Sequence, residues 1–460
     1  MIWLQGLNFL VKPLWIFGVD RIAQIQLGDE LYGQYYVIFT FCLMFNILLD
    51  LGLNNYLTTQ IASEKPTNIK KILSWRLGLA LVYVVLIAIF TQGQPWTREL
   101  IVLAVANQLI ASFVLFYRAI LQGNRQFKQD AIVSVTDRGI SIIGGLIWIS
   151  MYGFYGISGV LAFFSLQTLG YLIALILAIY WSKRIPNQES NEDFKTIWKS
   201  IQWFAILAFL MSIFTRVDTF MLSKLAPNTF VAAGVYAKSF RLLDACLIFS
   251  ALLSTLLLPN YSKRIKDGTG TSKLTIMGTK IVLTVGLPLL LLAYFYAPEV
   301  MTFIYKTGNN SASNKTFIFI MASFLPMALI HIFGTYLTAA RRLKTLSAYA
   351  IVSMICSLVL NYILIPKQGA LGSAEACLIT QSLFALLCIF GSYKAGAFYA
   401  YEFPILRLSL FILAALGFFS SSLNLGHGIW LGLFSAALTS LVGFLLLFPS
   451  WRTIGDLLKK

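Results

Sequence analysis

The chain has 460 residues, 58% of them hydrophobic and only 12% charged. This balance excludes a soluble globular protein and marks an all-α polytopic membrane protein. A net charge of +17 would point to nucleic acid in a soluble chain. Here most Lys and Arg occupy short loops between apolar runs, where they orient the protein instead, so no nucleic-acid partner is expected.

Hydropathy and flanking charge mark fourteen apolar segments, at 3–25, 33–61, 72–91, 98–121, 130–151, 157–181, 201–225, 230–259, 275–297, 316–340, 346–365, 370–393, 405–423 and 428–448. The first lacks a basic n-region and a small-residue cleavage site, and reads as a retained helix rather than a signal peptide. The Lys12-Pro13 step, Pro288 in the ninth segment and Pro326 in the tenth predict kinks. Loops 62–71, 122–129, 182–200, 260–280, 341–345 and 394–407, with the tail after Pro449, hold 22 Lys and Arg. The alternate loops hold only Arg98, Lys306, Lys315 and Lys367. The positive-inside rule then places the first set, and both termini, in the cytoplasm.

The longest cytoplasmic loop, 182–200, is polar and mixed in charge and reads as a linker between two halves. The longest outer loop, 298–315, is rich in Asn and Ser. Its sequon-like Asn309-Asn310-Ser311 and Asn314-Lys315-Thr316 read as chance matches. Three short motifs recur in order at offsets of about 201 to 216. Tyr32-Gly33 opens the second segment and Gly234-Val235-Tyr236 the eighth. Arg125-Gln126-Phe127-Lys128 is echoed by Arg341-Arg342-Leu343-Lys344, and Gly156-Ile157-Ser158-Gly159 by Ala370-Leu371-Gly372-Ser373. This is the mark of a duplication. Six helices per repeat keep both repeats in the same orientation, so two six-helix bundles would be related by a pseudo-twofold along the membrane normal. The expected division is 1–190 and 191–395 as two lobes facing a central cleft, with two additional helices and a tail at 396–460.

Charges inside the segments carry the functional argument, because a charge at the bilayer centre costs about 2.5–3.5 kcal/mol on insertion scales and usually faces a bundle interior or wet cavity. Lys12 lies near the middle of the first segment, with Asp20-Arg21 beyond it. Asp50 lies in the second, Asp137-Arg138 in the fifth, and Arg216 and Asp218 in the seventh. Lys238, Arg241 and Asp244 follow one another at spacings of three on the eighth, and so share one side of a helix. Glu375 lies near the outer end of the twelfth. Lys12, Arg138, Arg216, Lys238 and Arg241 form the candidate substrate-binding set. Asp50, Asp137, Asp218 and Asp244 are candidates for charge pairing or ion coupling. The plainer reading for the bases is ion pairing that locks the bundle, and for the acids the positioning of a basic neighbour. Adjacent residues on a helix do not face each other, so Asp137 and Arg138 are expected to find partners on other helices. Arg21, Arg76, Arg118 and Lys224 are expected to snorkel. His331 reads as a packed polar residue.

Cys42, Cys246, Cys356, Cys377 and Cys388 all sit in apolar runs, without a CxxC or a spaced Cys/His set, which argues against a disulfide framework or a zinc site. Histidine chemistry has only His331 and His427 to draw on. No metal, cofactor or catalytic residue is expected. A cleft lined by Lys and Arg suits an anion, since guanidinium groups hold phosphate oxygens bidentately. A cleft for cationic drugs would instead be acidic and aromatic.

Arg216-Val217-Asp218-Thr219-Phe220, Pro227-Asn228, Gly234-Val235-Tyr236, Arg241-Leu242-Leu243-Asp244 and Leu258-Pro259 together resemble bacterial Wzx-type O-antigen flippases. These belong to the multidrug/oligosaccharidyl-lipid/polysaccharide exporter superfamily. Leu7-Asn8-Phe9-Leu10, Lys12-Pro13, Tyr32-Gly33 and Leu49-Asp50-Leu51-Gly52-Leu53-Asn54 look the same, and the resemblance covers about residues 5 to 395. It implies two six-helix lobes around a cavity that alternates in access. It also implies transfer of an undecaprenyl-diphosphate-linked oligosaccharide between leaflets of a bacterial inner membrane. Membrane lipids and other polysaccharide-assembly membrane proteins are the remaining partner candidates. Proton, sodium or membrane-potential coupling stays open. The Arg241/Asp244 pair also resembles the charged eighth helix of lipid II flippases, whose last two helices form a lipid-tail groove. The alternatives are a cation-coupled drug exporter of the same superfamily and a membrane-embedded sugar polymerase or glycosyltransferase.

Overall fold

A computed structural model of the chain describes residues 10–183, 194–307, 310–399, 402–426 and 428–448. The linker at 184–193, the sequon at Asn309, His427, Leu7-Asn8-Phe9 and the tail after Pro449 lie outside the described residues. Long apolar runs with few breakers become helices whose backbone groups pair internally, as a bilayer requires.

The first helical stretch, α1 (Leu10–Met44), carries a π-turn at Ile16–Asp20, shortly after Pro13, whose imino nitrogen cannot donate to the helical ladder. It breaks at Gly28, whose φ of 72° and ψ of 177° are not helical. A second break follows α1: a 3-10 turn at Asn46–Leu49 leads into α2 (Leu53–Ala62), with a 44° bend between the two helices. Then come α3 (Ile69–Thr91), α4 (Arg98–Gly123), α5 (Phe127–Met151), α6 (Gly156–Ser182), α7 (Phe194–Phe214) and α8 (Val217–Leu225). The 38-residue α9 (Thr229–Lys266) is followed by α10 (Ser272–Phe295), α11 (Ala297–Tyr305), α12 (Ser311–Ala322) and α13 (Phe324–Ala339). The last four are α14 (Leu343–Gln368), α15 (Ala370–Lys394), α16 (Ile405–Leu425) and α17 (Ile429–Leu447).

Among the described residues twelve helical spans are long and apolar enough to cross a membrane, and the bent stretch Leu10–Ala62 makes a thirteenth if it is taken as one span. Cutting that stretch at Gly28 separates the first two segments read from the sequence. The all-helical polytopic fold is therefore as expected. Two local differences stand out. The outer stretch 298–315 is not one loop: Pro298 and Glu299 occupy the first turn of α11, where a missing N–H costs nothing and an acid complements the helix dipole. Asn310 then caps α12 by accepting from the Ser313 amide. The tenth segment divides at Ser323, just before Pro326, which cannot donate to the carbonyl of Ala322. By contrast, α10 runs through Pro288.

The chain folds as two compact units, Met1–Gly234 and Val235–Lys460. In the first, α6 packs on α4 and α5. Buried Leu53, Leu57, Ile72, Phe116, Ile120 and Ile197 join α2, α3, α4 and α7. Gly170 lets α6 approach α5 closely, since a Cβ there would lie 2.2 Å from the Asp137 carbonyl oxygen. In the second unit α15 packs on α12, α13 and α14, and α10 packs on α13 and α17. Phe411, Leu447 and Phe448 bury against Met277, Ile281 and Leu287 of α10. Large exposed apolar side chains such as Leu81, Leu413 and Phe434 are what lipid-facing surfaces require.

Candidate functional site

The break after α1 places polar groups inside a membrane-length stretch. Free carbonyls there need partners. Ser212 Oγ donates to Met44 O at 2.9 Å, and Tyr83 Oη to Cys42 O at 3.0 Å. Asn46 Nδ2 donates to Gln108 Oε1 at 2.6 Å. At the far side of the break, Asp50 accepts from the Gly52 amide at 3.2 Å and the Asn54 amide at 2.9 Å, so its carboxylate satisfies amides at the start of α2, whose N-cap is Gly52. Leu51 and Gly52 both have positive φ, 47° and 89°.

Arg76 of α3 ties this break to its neighbours. Its Nη1 donates to Asn54 Oδ1 at 2.8 Å and lies 3.4 Å from Asp50 Oδ1. Its Nη2 donates to the carbonyl and hydroxyl of Ser112 at 2.6 and 2.7 Å. The guanidinium stands over Phe113 and Phe116. Arg76 is 1% exposed, so it does not snorkel. Sequence reading missed this role. The usable signal was an Arg about two turns into an apolar helix, with Asp50, already a charge-pairing candidate, in the segment before it.

A second cluster joins α1, α4 and α5. Arg138 acts most strongly on the Asp137 carboxylate, with weaker Coulomb attraction from Arg118 and then Lys12. Arg138 Nε lies 3.9 Å from Asp137 Oδ2, and the Arg138 amide donates to Asp137 Oδ1 at 2.7 Å. The two neighbours therefore contact each other, contrary to the helical-spacing expectation. The short aspartate side chain folds back onto the backbone while the long arginine curls around it. Arg138 also reaches off its helix, to Tyr171 Oη at 3.4 Å. Arg118, expected to snorkel, is held by Asp130 through Nε at 2.6 Å and Nη2 at 3.5 Å, and Gln122 supports the same carboxylate. Nearby in the first span, Asp20 is fully buried and accepts from Tyr32 Oη at 2.9 Å and Gln24 Nε2 at 3.0 Å.

Arg216 sits at the start of α8, and Asp218, buried in its first turn, complements the helix dipole. Lys224, exposed in the last turn, stands over Trp96 and Phe220. Lys12, Asp50, Asp137, Arg138, Arg216 and Asp218 all belong to the first unit, whereas Lys238, Arg241 and Asp244 belong to the second. In α9, Lys238 is 4% exposed, and its carbonyl accepts from Tyr305 Oη at 3.0 Å. Arg241 and Asp244 are half-buried on the same helix. His331 packs against Ser254, whose hydroxyl lies 3.1 Å from Nδ1 and donates to the His331 carbonyl at 2.8 Å.

A family model described as "Polysaccharide biosynthesis protein" matches residues 2–265, more than half of the chain. The chain belongs to the polysaccharide biosynthesis protein family. No curated protein sequence matches it. Among solved structures, this polysaccharide biosynthesis protein is similar to the lipid II flippase MurJ in an inward closed conformation. The TM-score is 0.71 at 18% identity, covering 98% of this chain and 99% of that one. It is also similar to an inward-facing multidrug resistance MATE family transporter of the MOP superfamily (TM-score 0.58, 15% identity, 85% and 94% covered). The Vibrio cholerae MATE transporter VcmN gives a TM-score of 0.59 at 13% identity, covering 85% and 97%. These likenesses show that the chain shares the fold of these solved proteins.

Proposed function

We propose that this protein is a flippase that moves an undecaprenyl-diphosphate-linked oligosaccharide from the cytoplasmic to the periplasmic leaflet of a bacterial inner membrane. It does so by alternating access through a basic cavity between lobes 1–190 and 191–395, with both termini cytoplasmic. The carrying observation is the Asp137–Arg138 pair within a membrane-spanning unit, with Arg138 Nε 3.9 Å from Asp137 Oδ2 and its Nη2 3.4 Å from Tyr171 Oη. A guanidinium held this loosely by its own acid can turn to a diphosphate. The family match supports a role in polysaccharide assembly. The MurJ likeness supports a cargo with a lipid tail and a polar head. Lys12, Arg138, Arg216, Lys238 and Arg241 contact the head group. Asp50, Asp137, Asp218 and Asp244 set their geometry or couple to an ion. The sugar passes through the wet cleft while the polyprenyl tail stays in lipid, and the protein moves its cargo without catalysing a covalent step.

The test is translocation of a fluorescent undecaprenyl-diphosphate-linked sugar in proteoliposomes. Arg241→Ala is expected to abolish translocation while expression and the melting profile persist; wild-type rates in that variant would remove Arg241 from the path. The drug-exporter reading draws on the MATE likeness and on the buried acid Asp20. Resistance conferred on a drug-sensitive strain, with no lipid-linked sugar moved, would favour it.

A further inference from the structure

The break between α1 and α2 is supported from three sides. Ser212 of α7 satisfies the last carbonyls of α1, and Gln108 of α4 holds Asn46 at its entry. Arg76 of α3 holds its exit through Asp50 and Asn54, and anchors itself to Ser112 of α4. A simple kink needs no such apparatus. Non-helical backbone at membrane depth is tolerated where surrounding groups satisfy it, and discontinuous helices are where transporter bundles bend.

The chemistry of the exit differs from that of the entry. The entry is held by neutral hydrogen bonds, the exit by an ion pair of unequal burial: Arg76 is 1% exposed and the Asp50 side chain 22%. Asp50 also accepts from the Asn54 amide in the first turn of α2, which ties it to the start of that helix. Arg76 is not saturated. Its buried Nε has no hydrogen-bond partner and faces the aromatic rings of α4. The guanidinium therefore holds Asp50 at a long 3.4 Å while a donor stands idle. The idle donor lets the guanidinium take a new partner as it gives up Asp50, whereas a buried arginine left with none would be costly.

We propose that Arg76 is a positioning residue: with Asp50 it forms the latch of a hinge at residues 45–52, holding α2 at its bent angle and releasing it when the first unit changes conformation. The latch acts through the backbone and touches no cargo, so it stands independently of the substrate proposed above.

The test reads the bend directly. Spin labels are placed at exposed Glu30 and Thr59 of the full-length protein, with the five native cysteines replaced by Ala, and their separation is measured by pulsed electron resonance in nanodiscs. A control pair at Leu115 and Ile176 reports the packing of α4 on α6. The unsubstituted latch is expected to give one distance population. Asp50→Asn, which is nearly isosteric, should add a second population at longer distance. Arg76→Lys, which keeps the charge but cannot span Asp50 and Ser112 together, should add it too. The control distance should stay fixed in both. A single unchanged population across the bend in both variants overturns the latch. So does a control distance that shifts along with the bend, because the pair would then be holding the whole unit together rather than one joint.

Discussion

Arg76 and Ser112 are joined twice, through the hydroxyl and the carbonyl of the serine, at 2.7 and 2.6 Å. The double contact decides how two substitutions rank. Ser112→Ala removes the hydroxyl but leaves the carbonyl as acceptor, and should cost about 1–2 kcal/mol. Arg76→Ala strips the cation from Asp50 and takes a donor from the Asn54 side chain and from the buried Ser112 hydroxyl. Loss of one member of a buried pair costs about 3–5 kcal/mol, and the partial exposure of Asp50 favours the low end. Thermal unfolding in detergent should therefore rank wild type above Ser112→Ala and that above Arg76→Ala. An Arg76→Ala protein that melts with the wild type would mean that the guanidinium is not a structural tie.

Gly170 and Gly139 make a matched pair for helix packing. A Cβ on Gly170 would stand 2.2 Å from the Asp137 carbonyl oxygen and 2.5 Å from Ser141 Oγ, whereas one on Gly139 meets nothing within 4 Å. Backbone cannot retreat like a flexible side chain, so Gly170→Ala must part α5 from α6, at a cost of about 1–3 kcal/mol. Gly139→Ala should be neutral, or stabilising by about 0.5–1 kcal/mol through helix propensity. The same melting assay separates the two, and equal melting temperatures would contradict the close approach.

Much of this was legible in the sequence, because a bilayer imposes a simple rule: about twenty apolar residues make a span, and charge marks the loops. The helical fold followed from hydropathy, and the family from a few ordered motifs. Side-chain pairing did not follow, because it depends on which helices touch. Asp50 was visible as an odd acid, but its partner on α3 lies 26 positions away and looked like a snorkelling residue. Arg118 was misplaced for the same reason, since its partner Asp130 sits across the α4–α5 turn. Helical spacing also misled at Asp137 and Arg138, because spacing rules govern Cβ directions and not the reach of a long guanidinium. The helix at 297–305 was obscured by a proline that starts a helix as readily as it ends one.

Asp137 offers a test of the anion seat. If Arg138 receives a diphosphate, its native counter-charge Asp137 competes with it. Asp137→Asn should free the guanidinium and remove a repulsive carboxylate, tightening binding of undecaprenyl diphosphate by about tenfold, the scale of a charge-assisted hydrogen bond. Release would slow, so translocation should fall although affinity rises. Arg138→Gln should weaken binding. Native mass spectrometry in lipid-like detergent measures both. Weaker binding by Asp137→Asn would make the acid a scaffold for the guanidinium rather than the cargo's competitor.

The last two helices depend on one face of α10. Tyr296 follows the C-terminus of α10, is fully buried, and shares a 2.7 Å hydrogen bond with Ser422 of α16. Its ring also fills the space in front of Gly432 of α17, where a Cβ would come within 2.9 Å of Cγ. One side chain thus fixes both helices, by a polar contact to the first and a steric fit to the second. Tyr296→Phe removes only the hydrogen bond and should cost about 1 kcal/mol, with the packing kept. Gly432→Val overfills the contact and should cost about 1–3 kcal/mol, because the enclosed ring has nowhere to turn. The effects should differ in place as well as size. In hydrogen-exchange measurements Tyr296→Phe should loosen α16, whereas Gly432→Val should loosen α17 and leave α1 to α6 protected. Loosening spread evenly over both units by either change would show that the last helices do not dock as a separate layer on α10.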